Sequence, residues 1–364
     1  MIENDKITNT QLWIFIVLTV IGVGIFALPR IVVESADEDG WISVILGGIA
    51  SIFLFLIMCR LVRKFPDDTI VEISRKVFGN ILSVPVILIF TLYMVTIIGI
   101  TLRIFGEVVK MTLLLRTPVE VIMITMLVLV IWLTRYGIEP IVRFDEFVFP
   151  LIMVTLFFVL FFSIPRTDFS NMLPVFGSSA ARILDGAYKA TYSYAGFELI
   201  LLIAPQVKDK GKMFKSGIIA FIVIILTYIS VVILAIGKFG IIDTKKLIWP
   251  TLTMIRSIEV PGSFIERLEG IVMSQWIILA FTTIVPISYA ISYILSRIFK
   301  HKNFKHFTSI SIPIIYLISL IPDNIVEAYD FLDKITKYLE TPVILIIPVL
   351  LLITAVLRKM GANK

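Results

Sequence analysis

Long runs of apolar residues alternate along the chain with short, charged connections. An ionised side chain at the centre of a bilayer costs a few kcal/mol, and a spanning helix needs about 20 predominantly apolar residues, so charge-free runs mark spans. Such runs cover residues 11–29, 41–59, 77–102, 121–134, 147–165, 216–237, 271–296, 307–322 and 341–357. A further run, 183–204, is largely apolar yet carries Asp185, Lys189 and Glu198, so part of it must face protein or a watery cavity. The pattern predicts an all-α polytopic membrane protein of about ten transmembrane helices, with residues 1–364 forming a single integral membrane domain.

Several connections read as structured without spanning. In 68–78, Thr69 and Glu72 stand at capping spacing, Ile70, Ile73 and Val77 share a side and Gly79 is a stop, which predicts an amphipathic helix on the cytoplasmic surface. Residues 324–339, with Asn324 and Glu327 in capping positions, read likewise on the outside. The segment 241–262, containing Trp249-Pro250, is too polar to cross and long enough to fold over a vestibule. Ser263 and Glu266 form another capping pattern and open a helix over 264–299, roughly 50 Å long against ~30 Å of hydrocarbon. Its first turns should therefore stand outside, where Arg256, Glu266, Arg267 and Glu269 are expected to pair.

Composition agrees: 58% of the chain is hydrophobic and 16% charged, against roughly one-quarter charged in an average soluble domain. The net charge of +6 points to loops facing anionic lipid, and no interleaved basic and aromatic surface suggests a nucleic acid partner. More than half of the 33 Lys and Arg fall in short connections on the side of the N-terminus, which predicts both termini in the cytoplasm. Glu3, Asp5 and Lys6 leave the start without the positive region of a signal peptide, so the first apolar run is expected to stay. Cys59 is alone, which excludes an intramolecular disulfide and a cysteine metal cluster, and His301 and His306 sit in a Lys-rich loop. No Walker loop, H-E-x-x-H or Cys-His pair is present, so neither an enzyme nor a resident metal or cofactor is expected.

The chemistry lies in two interruptions. The first span contains Gly22, Val23, Gly24, Ile25 and Phe26 before Pro29, and each glycine costs a helix roughly 1 kcal/mol relative to alanine. Small residues in membrane helices commonly serve close packing. Five spans later, Tyr194, Ala195, Gly196, Phe197 and Glu198 place a glycine and an ionisable group at corresponding depth. Interrupted segments at matching positions of two five-span halves, about 10–165 and 180–358, point to an inverted-repeat core with its ligand between the breaks. A broken helix offers N–H groups and a positive dipole end to an anion and free carbonyls to a cation. A zwitterionic amino acid fits both: its carboxylate at the half-helix after Gly24, its ammonium near the carbonyls around Ala195 and before Gly22.

These two runs resemble the broken spans of the amino acid-polyamine-organocation (APC) superfamily, with its LeuT/APC-like 5+5 inverted repeat. The ten spans, the Pro66-Asp67-Asp68-Thr69 and Glu72 pattern, and Glu266-Arg267-Leu268-Glu269 opening span eight resemble the spore germination permease branch, the B subunits of germinant receptors. The resemblance covers essentially the whole chain. It implies a subunit in the inner membrane of a bacterial spore that recognises a small amino acid or similar nutrient and works with A and C subunits. The alternative is a proton- or sodium-coupled amino acid transporter with the same pocket.

Two readings fit Glu198: it binds or senses a proton or cation, or it caps the free N–H groups of span six. Lys189, four residues after Asp185, reads as a helical ion pair, with a fixed cation in place of sodium as the alternative; relatives with such a lysine carry it in span five, and 147–165 has none. Tyr93, Thr96, Ser274 and Gln275 are polar at depths compatible with the pocket or with helix–helix bonding. Trp276 lies inside span eight, where it is placed to line the cavity, whereas the other tryptophans read as interface anchors.

Overall fold

Reciprocal capping starts the first helix: the Thr8 hydroxyl accepts the Gln11 N–H at 3.2 Å while the Gln11 side chain accepts the Thr8 N–H at 2.9 Å. From there the computed structural model describes residues 5–257, 268–301 and 303–361. Span one is built from α1 (Asn9–Ile21) and α2 (Leu28–Ala36), separated by a 3-10 turn over Val23–Phe26. Helices α3 (Gly40–Lys64), α4 (Ile70–Thr112), α5 (Val119–Thr134) and α6 (Ile138–Ser163) supply spans two to five. Span six is again divided, into α7 (Ala180–Ser193) and α8 (Ile200–Ile203). Helices α9 (Met213–Lys246), α11 (Leu268–Ile298) and α12 (Lys305–Ser319) are spans seven to nine, and α13 (Ile325–Ile335) with α14 (Ile347–Leu357) forms span ten. Among the described residues, six of the continuous helical runs are long and apolar enough to cross a membrane. The broken span one sits centrally, with α1 packed on α6, α9 and α11, and α2 on α7 and α9.

The capping box at Thr69 and Glu72 is present, but Ile70, Ile73 and Val77 are buried against protein instead of lying on lipid. This short helix runs into span three across Gly79, whose φ of 82° makes the bend. The vestibule-side segment forms α10 (Pro250–Arg256), which folds back on span one: the Thr251 hydroxyl donates to the Ile25 carbonyl at 2.9 Å. Ser263, Glu266 and Arg267, with the capping pattern and ion-pair cluster expected of them, lie outside the described residues, as does the Glu269 side chain.

Span ten differs from the expectation of a separate surface helix at 324–339. Asn324 does cap α13, accepting the Glu327 N–H at 3.0 Å, but the helix continues through π-helical turns at Thr336–Glu340 and Pro342–Ile346 into α14. A wider turn carries an extra residue per repeat, and Pro342, which has no N–H to donate, falls where the two π turns meet. Ala328 and Ile335 are buried, and α13 packs against α4. Glu340 is consequently drawn into the bundle, only 2% exposed.

Helices α3 and α9 approach so closely at Gly217 that a Cβ there would run into the buried Phe55 ring. Gly217→Ala is expected to lower thermal stability by about 1–3 kcal/mol, with Phe55→Leu in the same chain recovering part of it. An unchanged melting temperature in Gly217→Ala alone contradicts this packing.

Candidate functional site

A cavity of about 570 Å³ lies between the two breaks. That volume falls within the range of small-molecule pockets, about 300–1,000 Å³. Gly22 and Gly24 line it from span one, Ala195, Gly196 and Glu198 from span six, and Tyr93 from span three. Around them stand Thr19, Tyr192, Ser193 and Thr283, and at one side the charged groups Glu34, Asp185, Lys189, Asp333, Lys337 and Glu340.

The first break is a sharp departure from helix at Gly22, φ 16° and ψ −139°. A Cβ on Gly22 would collide with the Thr283 hydroxyl, whereas one on Gly24 would meet nothing within 4 Å. Gly22 is thus required by close approach and Gly24 opens onto free space. The restart at Leu28 is eased by Pro29 in the first turn, where no N–H is needed. In span six, Gly196 takes φ 118°, a left-handed conformation that side chains rarely adopt.

Broken helices leave backbone groups without partners, and side chains from neighbouring spans meet them. The Tyr228 hydroxyl of span seven lies 3.0 Å from the Val20 carbonyl and 2.9 Å from the Ser193 carbonyl, so one buried phenol joins the ends of both first half-helices. The Thr283 hydroxyl lies 3.3 Å from the Thr19 carbonyl and 3.3 Å from the Leu279 carbonyl of its own helix. Of the carbonyls before Gly22 expected to face an ammonium, those of Thr19 and Val20 lie within reach of internal hydroxyls. Glu198, 3% exposed, accepts the Gly196 N–H at 2.7 Å on one oxygen and the Tyr93 hydroxyl at 3.2 Å on the other. The capping contact is thus present, and the same carboxylate lines the cavity.

The remaining expected site residues are distributed differently. Val23 contributes its backbone to the 3-10 turn. Ile25, Phe26, Gln275 and Trp276 line a second, apolar cavity of about 60 Å³, where Phe26 and Phe105 stack on Trp276 at centroid distances of 5.1 and 5.6 Å. Tyr194 is turned from the main cavity and donates its hydroxyl to the Val44 carbonyl at 2.9 Å. Phe197 packs in the core against Phe55 and Phe221. The Thr96 hydroxyl bonds back to the Leu92 carbonyl at 2.8 Å, and the exposed Ser274 hydroxyl bonds back to the Gly270 carbonyl at 2.7 Å. The Asp185–Lys189 pair forms at 2.9 Å, and Lys189 also donates to the Ser35 hydroxyl at 2.8 Å. Glu340, Thr19 and Thr283 were not anticipated. Thr19 and Glu340 each hold a buried oxygen with no hydrogen-bond partner among the described residues, and both residues line the cavity.

The sequence profile of a family described as "Spore germination protein" matches residues 6–328. Spore germination protein YndE of Bacillus subtilis (strain 168) is 29% identical over 358 residues, covering 98% of this chain and 98% of its own length. Spore germination protein A2 of the same organism is 29% identical, covering 94% of this chain and 93% of its own. Spore germination protein KB is 26% identical, covering 100% and 98%. The fold is shared with the crystal structure of MhsT in complex with L-phenylalanine, at TM-score 0.68 and 15% identity over 95% of this chain and 88% of that one. A Na+-coupled sialic acid symporter in a substrate-bound outward-open state matches at TM-score 0.65 and 11% identity, covering 91% and 76%.

Glu198→Gln keeps an oxygen for the Gly196 N–H, while Glu198→Ala leaves that donor buried and unpaired. The alanine variant is expected to lose about 1–3 kcal/mol more than the glutamine variant in unfolding measurements. Equal losses in the two would show that the charge, and not the acceptor, holds the turn.

Proposed function

The chain belongs to the spore germination protein family, and from that premise we propose that it is a germinant-sensing, permease-like subunit that binds a small amino acid between its two broken spans. The cavity bounded by Gly22, Gly24 and Gly196 carries this reading: it touches both interruptions, and at Gly24 a Cβ would meet no atom of the described residues within 4 Å. The ligand carboxylate would sit against the turn after Gly24, at the positive end of α2, and uncharged neighbours such as Ile97 and Ile104 would read its side chain. A complex of one fold neighbour with L-phenylalanine supports an amino acid as the ligand class.

The subunit would lie in the inner membrane of the cell or spore with both termini in the cytoplasm, and its response would pass to A and C subunits of a germinant receptor. The halves 10–165 and 180–358 would supply two packings between which the ligand selects. Binding shifts that equilibrium only by the difference in its affinity for the two packings. A proton- or sodium-coupled transporter is the competing reading, favoured by the fold shared with a Na+-coupled symporter.

Vesicles reconstituted with the full chain and presented with a panel of L-amino acids separate the two. Saturable binding without accumulation, lost in Gly24→Trp, is the expected result. Accumulation against a gradient would favour the transporter, and binding that survives Gly24→Trp would remove the site from this cavity. Gly24 suits this test better than Gly196, because its backbone imposes no left-handed strain on a side chain.

A further inference from the structure

Glu340 enters the cavity from span ten with one carboxylate oxygen that has no hydrogen-bond partner among the described residues. Glu198 of span six and Tyr93 of span three line the same cavity, and the two carboxylates and the phenol are near enough to interact electrostatically. All three side chains are buried: Tyr93 is 1% exposed, Glu340 2% and Glu198 3%. Neither carboxylate forms an ion pair among the described residues. The two lysines in the cavity lining have other partners: Lys189 is held by Asp185 at 2.9 Å and by Ser35, and the Lys337 ammonium stands over the Tyr338 ring, 5.5 Å from its centroid. Two buried acidic side chains without a counter-charge are costly to ionise; a proton on either relieves that cost, and so does a cation held between them.

We propose that Glu340, Glu198 and Tyr93 form a cation site on the wall of the cavity formed by spans three, six and ten. The inference rests on the cavity being the ligand pocket and deepens that reading. The Thr283 and Tyr228 hydroxyls already reach the helix-end carbonyls of Thr19, Val20 and Ser193, and Glu340 and Glu198 are the buried carboxylates of the cavity lining. Glu340 supplies an acceptor that nothing among the described residues uses, Glu198 supplies a second while still capping Gly196, and the Tyr93 hydroxyl donates to the Glu198 carboxylate. The occupant is a monovalent cationic centre. It reaches the site either as a free alkali ion or as the ammonium group of the ligand.

The full chain in lipid nanodiscs tests this through its unfolding temperature, titrated with NaCl, KCl and methylammonium chloride, with choline chloride holding ionic strength constant. A saturable rise is expected, lost in Glu340→Gln and retained in Glu120→Gln, a change at an exposed position. A rise with Na+ or K+ identifies a free ion, and a rise with methylammonium alone identifies the ligand's own ammonium. No saturable rise in the unaltered chain, or an undiminished rise in Glu340→Gln, overturns the site. Should Glu340→Gln give no cooperative transition, Glu340→Asp is expected to raise the half-saturating concentration about tenfold, as one charge-assisted contact is misplaced, and an unchanged value overturns the proposal. Amino acid binding measured in the same discs keeps the two readings apart: if it persists and is abolished by Gly24→Trp while the cation effect is absent, the cation site alone fails.

Discussion

Every backbone N–H and C=O inside a bilayer must find a partner within the protein, and the two broken spans are where this chain has to supply partners from outside the helix. Tyr228 is the central one. Its hydroxyl reaches the Val20 and Ser193 carbonyls together, so a single buried side chain of span seven links the inner ends of span one and span six. Thr283 and Thr251 do the same for the Thr19 and Ile25 carbonyls, and Glu198 for the Gly196 N–H. With these contacts made, the chain stays interrupted at mid-membrane, and the interruptions leave a cavity between them.

The same contacts decide what the cavity offers a ligand. Hydroxyls reach some of the carbonyls that a simple broken helix would present to a cation, and on the cavity wall one oxygen each of Glu340 and Thr19 has no hydrogen-bond partner among the described residues. The turn after Gly24, ahead of α2, would offer backbone donors to an anion. Charge separation across one small space is therefore set by which backbone groups the neighbouring spans have already satisfied. A ligand that fits both ends would bind spans one, three, six and ten at once. These belong to both halves of the chain, and a change in their relative packing is the means by which binding would be reported to partners.

Much of this was legible in the sequence because the bilayer imposes a rule that a sequence displays directly: charge-free runs of sufficient length are spans. The breaks were legible for a related reason, since Gly22 and Gly24 matched in depth with Gly196 and Glu198 conflict with a continuous apolar helix. The start of span ten was not. Asp330, Asp333, Lys334, Lys337 and Glu340 resemble an external connection, and only the π-helical continuity from Thr336 to Ile346 carries the last of them into the bundle. Helix rotation was equally hidden. Tyr194 and Phe197 adjoin the break in sequence yet point into the core, while Thr283, far away in the chain, lies against Gly22. Tyr228 stood as a polar residue within the apolar run 216–237, a signal that it had a buried partner but not which one.

The central claim is that the space beside Gly24 is where the ligand resides. The chain offers a direct way to examine it, because its single cysteine, Cys59, is buried and 2% exposed. In a Cys59→Ala background, the rate at which a water-soluble thiol reagent modifies Gly24→Cys should fall when a bound amino acid is present, whereas the rate at Ser274→Cys, away from the cavity, should not change. Equal rates at Gly24→Cys with and without saturating ligand would contradict the account.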